Sequence, residues 1–88
     1  MIKSTIHTEN KNLKRVKEIL NNHLCNLGYT IVQAEGGYKG KKEKALKIEI
    51  VSSHPISEVL KSIAGQIRDF NKQEVVLVTS ENVQAEFV

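Results

Sequence analysis

The chain opens on alternation, with Ile2, Ser4 and Ile6 on one side and Lys3, Thr5 and His7 on the other. A period of two belongs to a strand with one buried face. Thr8 and Asn10 then offer side-chain oxygens that can cap a helix. Beyond them Leu13, Val16, Leu20, Leu24 and Leu27 recur at three- and four-residue spacing, with Lys14, Lys17, Glu18 and Asn21 opposite. This pattern predicts an amphipathic helix over about 10–27, closed by Gly28, where a left-handed terminus is easiest.

Residues 29–35 alternate again, with Thr30, Val32 and Ala34 sharing a face. The glycine-rich, charged stretch 36–43 reads as a mobile reversal. Leu46, Ile48 and Ile50 alternate with Lys47 and Glu49, as in a strand with one wet face. Pro55 suits the first turn of a second helix. Its stripe of Ile56, Val59, Leu60, Ile63, Ile67 and Phe70 runs to near Asn71. Residues 75–78 predict a buried strand, Glu81-Asn82 a turn, and Val83, Ala85 and Phe87 a last strand.

The order β-α-β-β-α-β-β implies an α+β class: a ferredoxin-like βαββαβ unit with an extra C-terminal strand. Right-handed crossovers place both helices on one face of an antiparallel sheet of four or five strands. The expected core comprises Leu13, Val16, Leu20, Leu24, Val32, Leu46, Ile48 and Ile50, with Val59, Leu60, Ile63, Ile67, Val76 and Val78 from the second half. At 88 residues the whole of 1–88 is read as one domain.

Composition narrows the class. With 40% hydrophobic and 26% charged residues, five Gly and one Pro, the chain is not collagen-like, low-complexity or disordered. No apolar run approaches the roughly 18 residues needed to span a membrane. The first seven residues lack a signal-peptide core, and Cys25 alone forms no internal disulfide, so a reducing cytoplasm is expected. Thirteen basic residues against ten acidic give +3, but eleven of the thirteen are Lys and only 5% of the chain is aromatic. That footprint reads against nucleic acid, which is usually met by Arg and stacking rings. A core this small favours self-association, as a dimer or trimer, through a sheet face that leaves Ile31, Val75 or Val88 over.

His7, His23 and His54 fall in three different elements, and no metal-ligand spacing or cofactor fingerprint is present. Neither a metal nor a cofactor is therefore expected. Cys25 adjoins the helix's apolar row and reads as a packed thiol. Glu43, Glu74 and Glu86 have no spacing that selects them as an acid–base pair, so no catalytic residue is named and turnover is not expected.

The segment with chemistry to offer is the reversal. Gly36, Gly37 and Gly40 can bring backbone N–H groups close to an anion, and Lys39, Lys41 and Lys42 add positive charge. Tyr38 can stack on a ring, while Glu43 and Gln73 can bond a ring edge or a ribose hydroxyl. A solvated, edge-protecting loop is the competing reading of the same residues. Two functions follow from different classes. One is a non-catalytic oligomeric module that captures a nucleotide or another phosphate-bearing ligand. The other is a protein–protein interaction or inhibitor module, such as a phage-type accessory factor, docking through a sheet face or edge.

Gly28-Tyr29-Thr30, Gly37-Tyr38, Glu43, Gln73-Glu74-Val75-Val76-Leu77 and the terminal Phe87 occur in the order of a known pattern. The pattern resembles an uncharacterised bacterial small-domain family with a Gly-x-Thr strand, a Gly-x-aromatic hairpin and a Gln-x-x-Val-Leu strand. The resemblance covers about residues 28–88, departs from the family in having Tyr38 rather than Trp, and implies a ferredoxin-like fold without an assigned activity. In topology the chain is also similar to the nitrogen-regulatory signal proteins and the divalent-ion-tolerance proteins. That resemblance implies trimers, a long loop at 36–43 and, in the signal proteins, nucleotides held between subunits.

Overall fold

Each periodic segment has one apolar side, and the chain satisfies all but the last by stacking two helices on one sheet. A computed structural model describes residues 1–88 as β1 (Ile2–Glu9), α1 (Leu13–His23), β2 (Thr30–Tyr38), β3 (Lys41–Ser52), α2 (Ser57–Asn71) and β4 (Leu77–Asn82). The strand order is β2-β3-β1-β4, with every neighbouring pair antiparallel. This is the ferredoxin-like α+β arrangement that the element order implies.

Register decides which side chains share a face, because directly paired residues point the same way. Ile6 lies opposite Ile48 on one side and Val78 on the other, and Ile48 lies opposite Ile31. Ile6, Ile48 and Ile50 are wholly buried against Val16, Ile19 and Leu20 of α1 and Leu60, Ile63 and Ile67 of α2, in one cluster. Both helices therefore cover the same sheet face.

Several expectations are corrected by this register. Val32 sits opposite Lys47 on the other face and is 40% exposed, whereas Ile31 packs on the core. The alternation of β2 is real, but its phase is the reverse of the expected one. Ile6, Ile19 and Ala64 join the core instead. Thr8 and Asn10 cap nothing, because β1 runs on to Glu9 and the N–H of Asn10 extends the ladder to the carbonyl of Lys44 at 3.0 Å. At its other end α1 stops at His23, short of Gly28, which leaves Cys25 exposed rather than packed. Leu24 and Leu27 still reach the core from the turn that follows.

The C-terminal third shifts as well. β4 begins at Leu77 and runs straight through the expected turn at Glu81-Asn82, pairing Ile2 with Asn82. It is an edge strand, so Val75 and Leu77 are largely exposed rather than buried on both faces. The fifth strand does not form. Only the N–H of Val83 continues the ladder, to the carbonyl of Met1 at 3.0 Å, and residues beyond it have no regular structure. No helix is long and apolar enough to cross a membrane.

The sheet face away from the helices is mostly polar, with the apolar Val32, Val51 and Leu77 exposed on it. Lys3 and Glu49 form an ion pair there at 2.6 Å. The hydrogen bond to Glu49, reinforced by its charge, raises the Lys3 ammonium above its ordinary pKa of 10.5. The same hydrogen bond holds the Glu49 carboxyl below its ordinary 4.5, with the charges of Lys3 and Lys47 adding to it. A depressed acid stabilises the fold above its unfolded pKa and loses that contribution as pH falls through its folded pKa. A raised base stabilises below its unfolded pKa and loses the contribution as pH rises through its folded pKa. The gap in thermal midpoint between the parent and Lys3→Met should therefore stay level between about pH 5 and 10 and close at both ends. A gap that varied with pH within that window would assign the stabilisation to other groups.

Candidate functional site

The reversal is tighter than its composition suggests. β2 continues through Gly36 and Gly37, which pair with Glu43 and Lys42, so only Lys39 and Gly40 form the turn. Both have positive φ, 51° and 76°, the geometry of a two-residue turn whose twist matches the flanking strands. In an edge strand, successive residues send their N–H groups alternately into the ladder and away from it. At most one of the Gly36 and Gly37 amides is thus free for a ligand. Lys39 folds back so that its Nζ lies 5.3 Å from the centre of the Tyr38 ring.

An open concavity of about 660 Å³ lies where the base of this hairpin meets the end of β1 and the α2–β4 loop. Its walls are residues 34–38 of β2, 43–47 of β3, His7, Thr8 and Glu9 of β1, Lys11, and residues 72–75 with Leu77. Five of the residues named from sequence, Gly36, Gly37, Tyr38, Glu43 and Gln73, come together on it. The other four, Lys39, Gly40, Lys41 and Lys42, lie at the exposed tip outside its walls.

Gln73 reaches the concavity because of how α2 ends. Lys72 takes a left-handed conformation at φ 56°; its N–H bonds the carbonyl of Asp69 at 3.3 Å and that of Gln73 bonds Arg68 at 2.9 Å. This double closure is the Schellman pattern, here with Lys in the place glycine usually fills. It swings Gln73 back towards β1. Thr8 Oγ1 then donates to Gln73 Oε1 at 2.7 Å, and Asn71 Nδ2 donates to the same oxygen at 2.8 Å. Asn12 Nδ2 in turn donates to Asn71 Oδ1 at 2.9 Å. Asn12, itself left-handed, gives its side chain to this network and makes no cap bond to α1. Gln73 Nε2 faces the carbonyl of Val75 at 3.4 Å. Turning the amide over would set two oxygens against each other there, so Gln73 presents its N–H side and keeps its oxygen inward.

The walls carry equal numbers of lysines and glutamates. Lys11 Nζ lies 3.0 Å from Glu9 Oε2, an otherwise unpartnered and occluded oxygen. Glu35 stands opposite Lys44 across the ladder. His7 Nε2 meets Thr79 Oγ1 at 3.1 Å at the rim. Sequence reading does not assign His7, Thr8, Glu9, Lys11 or Lys72 to this site. The available signal is topological: with β1 beside β3, the end of β1 must lie at the hairpin's base.

No protein-family model and no curated protein matches the sequence. Solved structures match over nearly the whole chain, and they share the ferredoxin-like fold of the nitrogen-regulatory PII-like proteins. One is the PII-like protein CPII from Thiomonas intermedia, bound to ADP, AMP and bicarbonate: 18% identical, covering 99% of this chain and 93% of that one, TM-score 0.63. A DUF3240 family protein from Shewanella baltica is 14% identical over 99% of this chain and 93% of its own, with a TM-score of 0.69. A phage SAM lyase in its apo state is 15% identical, covering 91% and 78%, with a TM-score of 0.62. The resemblance to nitrogen-regulatory signal proteins and to an uncharacterised bacterial family thus holds as a likeness of fold.

Proposed function

We propose that the chain is a non-catalytic binding module that captures a nucleotide or another phosphate-bearing small molecule, working as a homo-oligomer. The observation that carries this reading is the concavity itself. Its volume suits a small ligand, and it gathers an aromatic ring, a glycine-bearing strand and a fixed amide in one place. CPII, bound to ADP and AMP on the same fold, supports a nucleotide as the ligand class. The phage lyase shares the fold too, so fold by itself does not separate binding from turnover. In favour of binding, no Ser or Cys lines the walls and the Thr8 hydroxyl is already committed to Gln73.

Tyr38 supplies the stacking surface, Gly36 and Gly37 allow close approach, and Glu43 and Gln73 bond the ring or ribose. Gly40 shapes the turn that carries Lys39, Lys41 and Lys42, which attract anions at long range. Replacing these three lysines together by Gln should weaken ADP binding and flatten its salt dependence, since exposed charges are screened beyond about 8 Å at physiological ionic strength. Titration calorimetry at two salt concentrations measures both. Unchanged affinity and slope would reduce the lysines to a solubilising fringe.

One observation favours the second reading, an interaction module. The segment beyond β4 keeps a strand-like alternation yet pairs with nothing past Val83, and Phe87 is 90% exposed. Val75 and Leu77, before and at the start of β4, are exposed as well. A partner strand or a second copy would cover such an edge.

A further inference from the structure

Resting on the binding reading above, we infer that the concavity selects a nucleotide of low charge, a nucleoside monophosphate rather than a nucleoside polyphosphate. The walls carry four lysines (Lys11, Lys44, Lys47, Lys72) and four glutamates (Glu9, Glu35, Glu43, Glu74). Their formal sum is zero, against +3 for the chain, so the basic excess lies elsewhere. Much of that excess is at the hairpin tip, outside the walls.

One pair is matched locally, Lys11 with Glu9 at 3.0 Å, while Lys44 stands opposite Glu35 in the register and makes no ion pair. Lys47 shares the outer sheet face with Glu49, two residues along β3. Lys72, held at the left-handed end of α2, makes no ion pair. Glu43 stands opposite Gly36, which has no side chain to answer it, and Glu74 makes no ion pair either.

A monophosphate carries about −1.5 to −2 at neutral pH and can be met by Lys72 with help from Lys47. Each further phosphate adds negative charge to walls that hold no surplus cation, because their lysines are equalled in number by glutamates and Glu43 and Glu74 have no ion-pair partner of their own. In a partly desolvated concavity that repulsion is stronger than in bulk water. The tip lysines speed the approach of any anion but do not line the place where it rests. The base and ribose then provide the contacts, on Tyr38 and on the N–H side of Gln73, and those contacts are the same for every member of a nucleotide series.

The test is equilibrium titration of the parent with AMP, ADP and ATP, repeated on the double variant Glu43→Gln/Glu74→Gln. The parent should bind AMP at least as tightly as ATP. Removing the two carboxylates should shift the ATP-to-AMP affinity ratio in favour of ATP by about tenfold, equivalent to about 1.4 kcal/mol. ATP binding the parent tighter than AMP would overturn the selection while leaving the binding reading intact. An unchanged ratio in the double variant would overturn it too, by showing that the carboxylates do not set the preference. If none of the three binds the parent, the nucleotide reading itself fails, and the selection falls with it.

Discussion

Ile48→Ala should destabilise the fold by about 2–5 kcal/mol, the range for emptying a large aliphatic side chain from a packed core. Ile48 is wholly buried at the middle of β3, a central strand, with Ile6 and Ile31 opposite it and both helices over it. Its loss removes contacts to both flanking strands at once, and neither can close the space without breaking register. A domain of this length has a total stability of about 4–13 kcal/mol at 0.05–0.15 kcal/mol per residue. The variant should therefore melt lower by at least about 10 °C, at about 4–8 °C per kcal/mol, and reach its urea midpoint early. Val32→Ala is the matched control: on the wet face opposite Lys47, it should change stability by less than about 1 kcal/mol. Equal losses at the two positions would mean that the phase of β2 described above is wrong.

Asn71→Ala should cost about 1–3 kcal/mol, more than a residue at the end of a helix usually does. Asn71 is only 6% exposed and both donates to Gln73 and accepts from Asn12, so its removal takes one of two donors from the Gln73 oxygen and the acceptor from Asn12. Gln73→Glu separates this network from simple packing. A carboxylate oxygen still accepts from Thr8 and Asn71, so those two bonds survive, while the outward N–H becomes an oxygen that no longer donates to the Val75 carbonyl. Urea denaturation should show Asn71→Ala clearly below Gln73→Glu. Hydrogen exchange should show faster opening of residues 72–76 in the alanine variant, because the network anchors that loop to β1. If Asn71→Ala unfolds at the parent's midpoint and leaves exchange unchanged, the α2–β4 loop is held by its backbone closure alone.

The candidate site was partly readable before folding. Gly36, Gly37, Tyr38 and Glu43 are neighbours in sequence and stand out by composition, and Gln73 stands out as a polar residue before an apolar strand. Their meeting depends on β1 lying between β3 and β4, which brings the hairpin base and the α2–β4 loop to one end of the sheet. Thr8 looked like a helix cap because its hydroxyl suits one. In the fold the same hydroxyl holds Gln73, because β1 outruns its apolar pattern by pairing with β3 as far as Ala45. The lysines show the opposite case: a run of like charge is conspicuous in sequence, yet a two-residue turn carries most of it beyond the walls.

The sequence by itself determined the order of elements, the ferredoxin-like class and the apolar stripes of both helices, because periods of 2 and 3.6 are local consequences of backbone geometry. Tertiary structure decided the phase of β2, the place where α1 stops, the start of β4 and the failure of the last strand to form. Each of these depends on a partner distant in the chain. A short alternating segment can bury either face, and Lys47 and Ile48 of β3, not the segment's own pattern, put Val32 in water and Ile31 in the core. Val83, Ala85 and Phe87 keep the period of a strand, but β4 already occupies the place beside β1, so within one chain they have no neighbour to pair with.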